Sequence, residues 1–272
     1  MSESHALGFS RALKAYPALL RTGFISAVAY RAEFLIWMFS TNMPLVMLAL
    51  WSAVARSGPV GVYSQAGFTA YYVSSLLVRL VTGSWVVWEM TMEIKQGTLA
   101  LRLLRPIHPL LAYSAENLAA VPMRGIVAVP VMTILLFSGR SQLSTDLVLW
   151  LIVPFSILGA WLLTFLVMAL IGTLGLFVES ATSLFEAWLG VSAVLSGYLV
   201  PLDLFPDRLR HIAQVLPFRF TLSYPVELAL GRLTRLQAAQ LLGAQYAYVA
   251  VFLVATHLLW RRGLARYSAF GG

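Results

Sequence analysis

Apolar side chains fall at Phe9, Leu13, Tyr16, Leu20 and Phe24, at intervals of four, three, four and four, while Arg11, Lys14 and Arg21 take the other side of the wheel. That spacing predicts an amphipathic helix over 8–30, lying in the plane of a membrane surface and bent at Pro17. Further on, the stripe gives way to whole apolar blocks. A helix crossing a bilayer takes roughly 20 predominantly apolar residues. Six stretches fit: 34–55, 68–88, 111–138, 147–177, 184–202 and 244–260. The fourth is long enough to tilt. The fifth is short, and Ser183 and Glu186 have capping-box spacing at its start, which gives Glu186 a structural task. Pro44, Pro122, Pro130 and Pro154 mark kinks within the spans.

Two segments break the rhythm of spans and short loops. In 89–109, a short amphipathic helix is expected, with Leu99, Leu103 and Leu104 on one face, Arg102 and Arg105 off it, and Pro106 and Pro109 ending it. In 197–243, Leu209, Ile212, Ala213 and Leu216 mark an apolar face between Pro206 and Pro217. A second short helix is expected from Pro225 to Gly231, with proline first and glycine just past the end. Thr234 and Gln237 form another capping-box pair, opening a helix that runs into the sixth span. These pieces are too short to span and suit a re-entrant or interfacial hairpin.

Composition turns this pattern into a fold class. Of 272 residues, 60% are hydrophobic and 11% charged, where a soluble domain is about a quarter charged. The chain reads as one all-α polytopic membrane domain over 1–272, with neither a water-soluble enzyme nor a disordered chain compatible with it. Net charge is +8, from 19 Lys+Arg against 11 Asp+Glu. Because the basic residues flank apolar blocks, they point to lipid headgroups and topology rather than to nucleic acid. Ten of them fall on one predicted side and seven on the other, five of those seven in one long segment, which places both termini in the cytoplasm.

Candidate chemistry is sparse. Cysteine is absent, and neither H-E-x-x-H nor G-x-S-x-G occurs. A P-loop requires G-K-[ST], but Lys14 and Lys95 are followed by Ala15 and Gln96. If ATP drives this protein, another chain must bind the ATP and its Mg; no cofactor or metal site is expected here. Arg79 and Arg124 lie near the middle of the second and third spans. Charges at that depth either pair with carboxylates and free carbonyls or line a path for substrate.

The order of parts resembles the membrane subunit of an ABC-2-type ABC transporter, of the small bacterial branch with a separate ATPase subunit. The likeness is sharpest in G-T-L-A-L-R-L-L-R-P at 97–106 and in S-G-Y-L-V-P-L-D-L-F-P at 196–206, followed by L-P-F at 216–218, Pro225 and Gly231. The resemblance implies six spans, an N-terminal connecting helix, a cytoplasmic coupling helix and an outer re-entrant hairpin, as in type V exporters. It implies an ATPase-coupling role for Glu93, Lys95, Gly97, Arg102, Arg105 and Pro106, and an outer gate or hairpin role for Gly197, Pro201, Phe205, Pro206, Pro217 and Phe218. It further implies two P-loop ATPase subunits per complex, a second permease, identical or paralogous, and residence in the bacterial inner membrane among its lipids. Export of a lipid, glycan, peptide or hydrophobic natural product is the implied activity. Replacing Arg102 and Arg105 by Glu is then expected to uncouple the ATPase without impairing insertion. The competing class is an ion-driven secondary transporter, which internal repeats and midplane carboxylates would favour; a membrane scaffold or enzyme stands behind it.

Overall fold

The computed structural model describes residues 2–29, 43–138, 142–178 and 180–270. Apart from one isolated bridge between Val60 and Tyr63, their regular structure is helical. In chain order the α-helices are α1 (Ser2–Ala29), α2 (Met43–Val54), α3 (Gln65–Thr82), α4 (Val86–Gln96), α5 (Leu99–Leu103), α6 (Pro109–Ala119), α7 (Val121–Ser138), α8 (Leu147–Leu174), α9 (Ala181–Leu195), α10 (Asp207–Val215), α11 (Ser223–Ala229) and α12 (Arg235–Phe270).

Among the described residues, four helical stretches are long and apolar enough to cross a membrane: Gln65–Gln96, Pro109–Ile134, Leu147–Leu174 and Arg235–Tyr267. Met43–Ser57 and Ala181–Leu195 are shorter apolar helices. The predicted first span, 34–55, begins outside the described residues. The predicted fifth span, 184–202, is a helix of 15 residues, about 22 Å at 1.5 Å per residue, against a hydrocarbon core of about 30 Å.

Helix α8 is the hub. It packs against α12, α4, α11, α3 and α9, and its Trp161, Leu163, Phe165 and Leu166 enter the main core. Helix α3 is nearly sunk in protein between α2 and α7. Helix α1 covers most of the stretch predicted as an amphipathic helix and lies along α6. Its contact runs through Gly23, which abuts Ala119, and Tyr16, whose hydroxyl meets that of Ser114 at 3.1 Å. Phe24 of the expected stripe is left exposed, because α6 covers only the narrow side on which Gly23 lies.

The second span runs further than the apolar block 68–88 foretells, and it is broken. Gly83–Trp85 interrupt the helix between α3 and α4, leaving carbonyls at a depth where water is scarce and every polar group needs a partner. The Arg124 guanidinium, 5% exposed, bonds the Gly83 carbonyl. Asn117 donates to the Ser84 hydroxyl (3.2 Å) and accepts from the Trp161 indole (2.9 Å), closing a polar seam across three spans. A cation at the C-terminal end of α3 also opposes that helix's negative pole.

Local side-chain caps set several of the helix starts. Ser64 accepts from Gly67 N–H, and Asp146 accepts from Val148 N–H. Thr234 and Gln237 exchange both bonds of the predicted box, at 3.0 and 3.3 Å, and the helix they open continues unbroken to Phe270. The other box is corrected. Helix α9 starts at Ala181, so Ser183 is its third residue; its hydroxyl pairs with that of Ser180 at 2.9 Å and it caps nothing with Glu186. Helix α11 starts at Ser223, two residues before Pro225, and Gly231 follows its end at φ +64° as expected. The expected face of α10 is also thinner than the pattern: only Ala213 is buried, while Leu209 and Ile212 are exposed.

Asp146 joins two helices, because its carboxylate also takes Arg235 at the start of α12 at 2.7 and 3.1 Å. The Arg235 bonds, then the Val148 N–H, hold its pKa below the ordinary aspartate value of 3.8. A depressed carboxylate contributes stability that is complete above the unfolded-state pKa and is lost as pH falls through the folded one. Thermal unfolding in detergent should therefore show a melting temperature that drops below about pH 4 in part through this group. Asp146→Asn should lower the melting temperature at pH 7 and narrow the gap to wild type as the pH falls; a gap that stays constant would refute the assignment.

Candidate functional site

The implied coupling and gate residues lie at opposite ends of the long helices. At one end, α4 overruns the apolar block and ends at Gly97, which adopts φ +72° and turns the chain into α5. Arg102 points back from α5 between two spans. Its Nη2 and Nε bind Glu93 at 2.6 and 2.9 Å, and its Nη1 binds both oxygens of Glu116 at 2.9 and 3.0 Å. The guanidinium lies 4.0 Å over the Tyr113 ring, and that hydroxyl donates to Glu93 at 2.6 Å. Burial works against the Arg102 charge, but the bonds to Glu93 and then Glu116 outweigh it and hold its pKa above the usual guanidinium range. One arginine thus ties the short helix to the end of α4 and to α6.

The leucines divide differently from the pattern. Leu99 is buried and Leu103 packs on the main core, whereas Leu104 is 82% exposed and Leu101 65%. Helix α5 is a single short turn, too brief to keep one continuous face. Arg105, Pro106 and Lys95 are exposed beside Leu101 and Leu104. The tip is therefore apolar and basic, and its base is pinned by Arg102. Tyr267, late in α12, reaches the Gly97 carbonyl at 3.4 Å.

At the other end, the chain leaves α9 through Gly197 at φ +83°. Its carbonyl accepts from Tyr71 (2.7 Å), the neighbouring Ser196 carbonyl accepts from Ser223 (2.7 Å), and the Leu199 carbonyl accepts from Tyr72 (2.8 Å) and the Trp51 indole (3.1 Å). Those aromatics stack with Tyr63 and Phe68 in one cluster. Pro201 is buried, Phe205 and Pro217 are half-buried, and Pro206 is exposed at the start of α10. The Phe218 ring meets Trp188 of α9 at 6.1 Å.

A charged layer covers this cluster. Asp203 accepts from Tyr63 at 3.0 Å and from Arg232 at 2.8 Å, and Arg232 lies 3.8 Å over the Tyr63 ring. Burial first, then the neighbouring Tyr71, raises the Tyr63 pKa and keeps its hydroxyl protonated as a donor. Arg219 and Glu227 form a buried pair at 2.6 Å. None of Tyr63, Tyr71, Asp203, Arg219, Glu227 or Arg232 stands out in the sequence as a site residue. Apart from Arg219 and Glu227, eight residues apart, the partners are remote in the chain, and the local signal is the density of aromatics at 63–72.

A family model described as ABC-2 family transporter protein matches residues 36–271. The chain belongs to that family. Comparisons with curated proteins and with solved structures returned no match. In this ABC-2 transporter protein, residues 97–106 and 196–206, which carry the sequence resemblance, both fall within the matched region and form the two ends just described. Among the described residues no group of three His, Cys, Asp or Glu is placed to hold a metal. Of the two intramembrane arginines, Arg124 serves the break in the second span. Arg79, half-buried, lies 4.8 Å over the Tyr198 ring and has no ion pair among the described residues.

Proposed function

We propose that this ABC-2 protein is the membrane half of an ATP-driven exporter, paired with a second permease and with two separate P-loop ATPase subunits that bind ATP and Mg. The observation that carries the reading is the α5 tip: two large apolar side chains, Leu101 and Leu104, stand exposed on a turn whose base is tied to α4 and α6 through Arg102. Exposed leucines beside basic residues suit a groove on a soluble partner. The pinned base turns a push on the tip into movement of two spans rather than bending of a loop. Glu93, Gly97 and Arg102 transmit, and Lys95, Leu101, Leu104, Arg105 and Pro106 face the ATPase. On this reading the protein is a six-span component of a bacterial inner membrane with cytoplasmic termini, and the 197–243 segment forms the outer gate. Cargo is of the lipidic, glycan, peptide or hydrophobic natural-product kind.

The test is affinity purification of the tagged permease from its own membranes, followed by mass spectrometry of bound chains. Wild type should retain a P-loop ATPase at about one copy per permease. Leu101→Asp combined with Leu104→Asp should lose at least tenfold of that ATPase while the permease itself is recovered in normal amount. An ATPase that stays on the double variant would remove the tip from the interface, and its absence from wild type would remove the ATP-driven reading.

A further inference from the structure

The charged layer over the aromatic cluster encloses a cleft of about 540 Å³, between the 201–233 segment and the first turns of α12, within the usual range for small-ligand sites. Three arginines line it, Arg210, Arg219 and Arg232, with two carboxylates, Asp203 and Glu227. Glu227 is paired with Arg219 through one oxygen at 2.6 Å, and Arg232 holds Asp203 at 2.8 Å. Arg210 reaches the same Asp203 only at 3.9 Å. Two carboxylates therefore serve three guanidiniums, and one positive charge is left over.

A second observation points the same way. Arg219 is 8% exposed, yet its Nε has no hydrogen-bond partner among the described residues. A buried guanidinium N–H left without an acceptor is costly, and such groups are rare in native proteins. Gln214, Gln237 and Gln240 add amide donors around the same space. The donors come from α10 (Arg210, Gln214), the following stretch (Arg219, Arg232) and α12 (Gln237, Gln240) rather than from one flat fork, which favours a tetrahedral oxyanion over a planar carboxylate.

We propose that this cleft binds a singly charged phosphate diester, as carried by a phospholipid headgroup or by a soluble phosphodiester. Arg210, the least engaged of the three arginines, makes the principal ion pair, and the glutamines take the remaining oxygens. The site involves no ATPase, so its failure would leave the transport reading as it stands.

The test uses the purified full-length chain in detergent, with binding read from tryptophan fluorescence. The probes are dioleoylphosphatidylglycerol, glycerophosphoglycerol, and dioleoylglycerol, which lacks the phosphate. Phosphatidylglycerol should bind, and dioleoylglycerol should bind at least tenfold more weakly. Arg210→Gln, on a half-exposed and loosely paired side chain, should weaken phosphatidylglycerol about tenfold or more. Arg219→Gln together with Glu227→Gln, which removes the buried pair as a unit, should do the same; should that variant not fold, Arg210→Gln alone decides. Competition by glycerophosphoglycerol would support the site and identify the phosphodiester itself as sufficient. Binding of the lipid alone would support it with a membrane lipid as the source. Equal affinity of wild type and Arg210→Gln for phosphatidylglycerol, or equal affinity of wild type for the two lipids, would overturn it.

Discussion

Arg102→Glu should prevent recovery of well-folded protein, whereas Arg105→Glu, three residues away, should leave folding untouched. Arg102 satisfies two carboxylates and stacks on Tyr113, and its side chain is 13% exposed. Removing one partner of a fully buried ion pair costs about 3–5 kcal/mol. This cluster is half-buried, the Glu93 and Glu116 side chains being 22% and 32% exposed, so solvent screening lowers the cost of the missing partner below that range. Here the replacement adds a third carboxylate beside Glu93 and Glu116, and the like-charge repulsion brings the expected loss back to about 3 kcal/mol. Arg105 is exposed and makes no ion pair among the described residues, and surface changes of that kind fall within about 0.5 kcal/mol. Size-exclusion profiles and melting temperatures in detergent would separate the two. Equal melting temperatures for both single variants would mean that the Arg102 cluster does not hold this end together. The contrast also bears on the double replacement expected from sequence to uncouple an ATPase selectively: it would combine a folding defect at Arg102 with any interface defect at Arg105, and the leucine tip is the cleaner probe.

Gly197→Ala is expected to be the most damaging glycine substitution at the hairpin end. An added Cβ would overlap the hydroxyls of Ser223 and Tyr71, the groups that bond the Ser196 and Gly197 carbonyls. The position also sits at φ +83°, where a side chain costs about 1–2 kcal/mol, and overpacking adds about 1–3 kcal/mol. Together these predict a loss of about 2–5 kcal/mol. Gly97→Ala is the control: its φ is +72°, but nothing lies within 4 Å of the added Cβ, so it should suffer only the backbone term. Thermal unfolding of both variants measures the difference. A Gly197 variant no less stable than the Gly97 variant would show that the hairpin gives way without cost.

Much of this was legible in the chain because it depends on residues close together. Blocks of apolar residues mark the long helices, since a segment in lipid must satisfy its own backbone and present apolar side chains along its length. Thr234 and Gln237 announce the start of the last helix because both bonds of the box are local. Gly97 and Gly231 announce turns because only glycine enters the left-handed region without cost. Ser183 and Glu186 have the same spacing as the correct box and fail, because Ser180, three residues earlier, already lies at the helix start. A capping pattern states where a helix is able to begin, and the fold chooses among the possibilities.

What sequence could not state is which charges meet. Glu93, Arg102, Tyr113 and Glu116 become one cluster only when α4, α5 and α6 converge, and Tyr63, Asp203 and Arg232 meet across 29 to 169 positions of chain. Arg124 looks from its position like a candidate for a substrate path, yet a break one helix away claims it. The sequence by itself determined the long apolar helices, the glycine turns and the family, because these follow from local periodicity, backbone conformation and local motifs. Tertiary structure alone decided which leucines of α5 stay exposed, which arginines are spent on structure and where one is left over, because pairing and burial depend on distances in space that no spacing along the chain encodes.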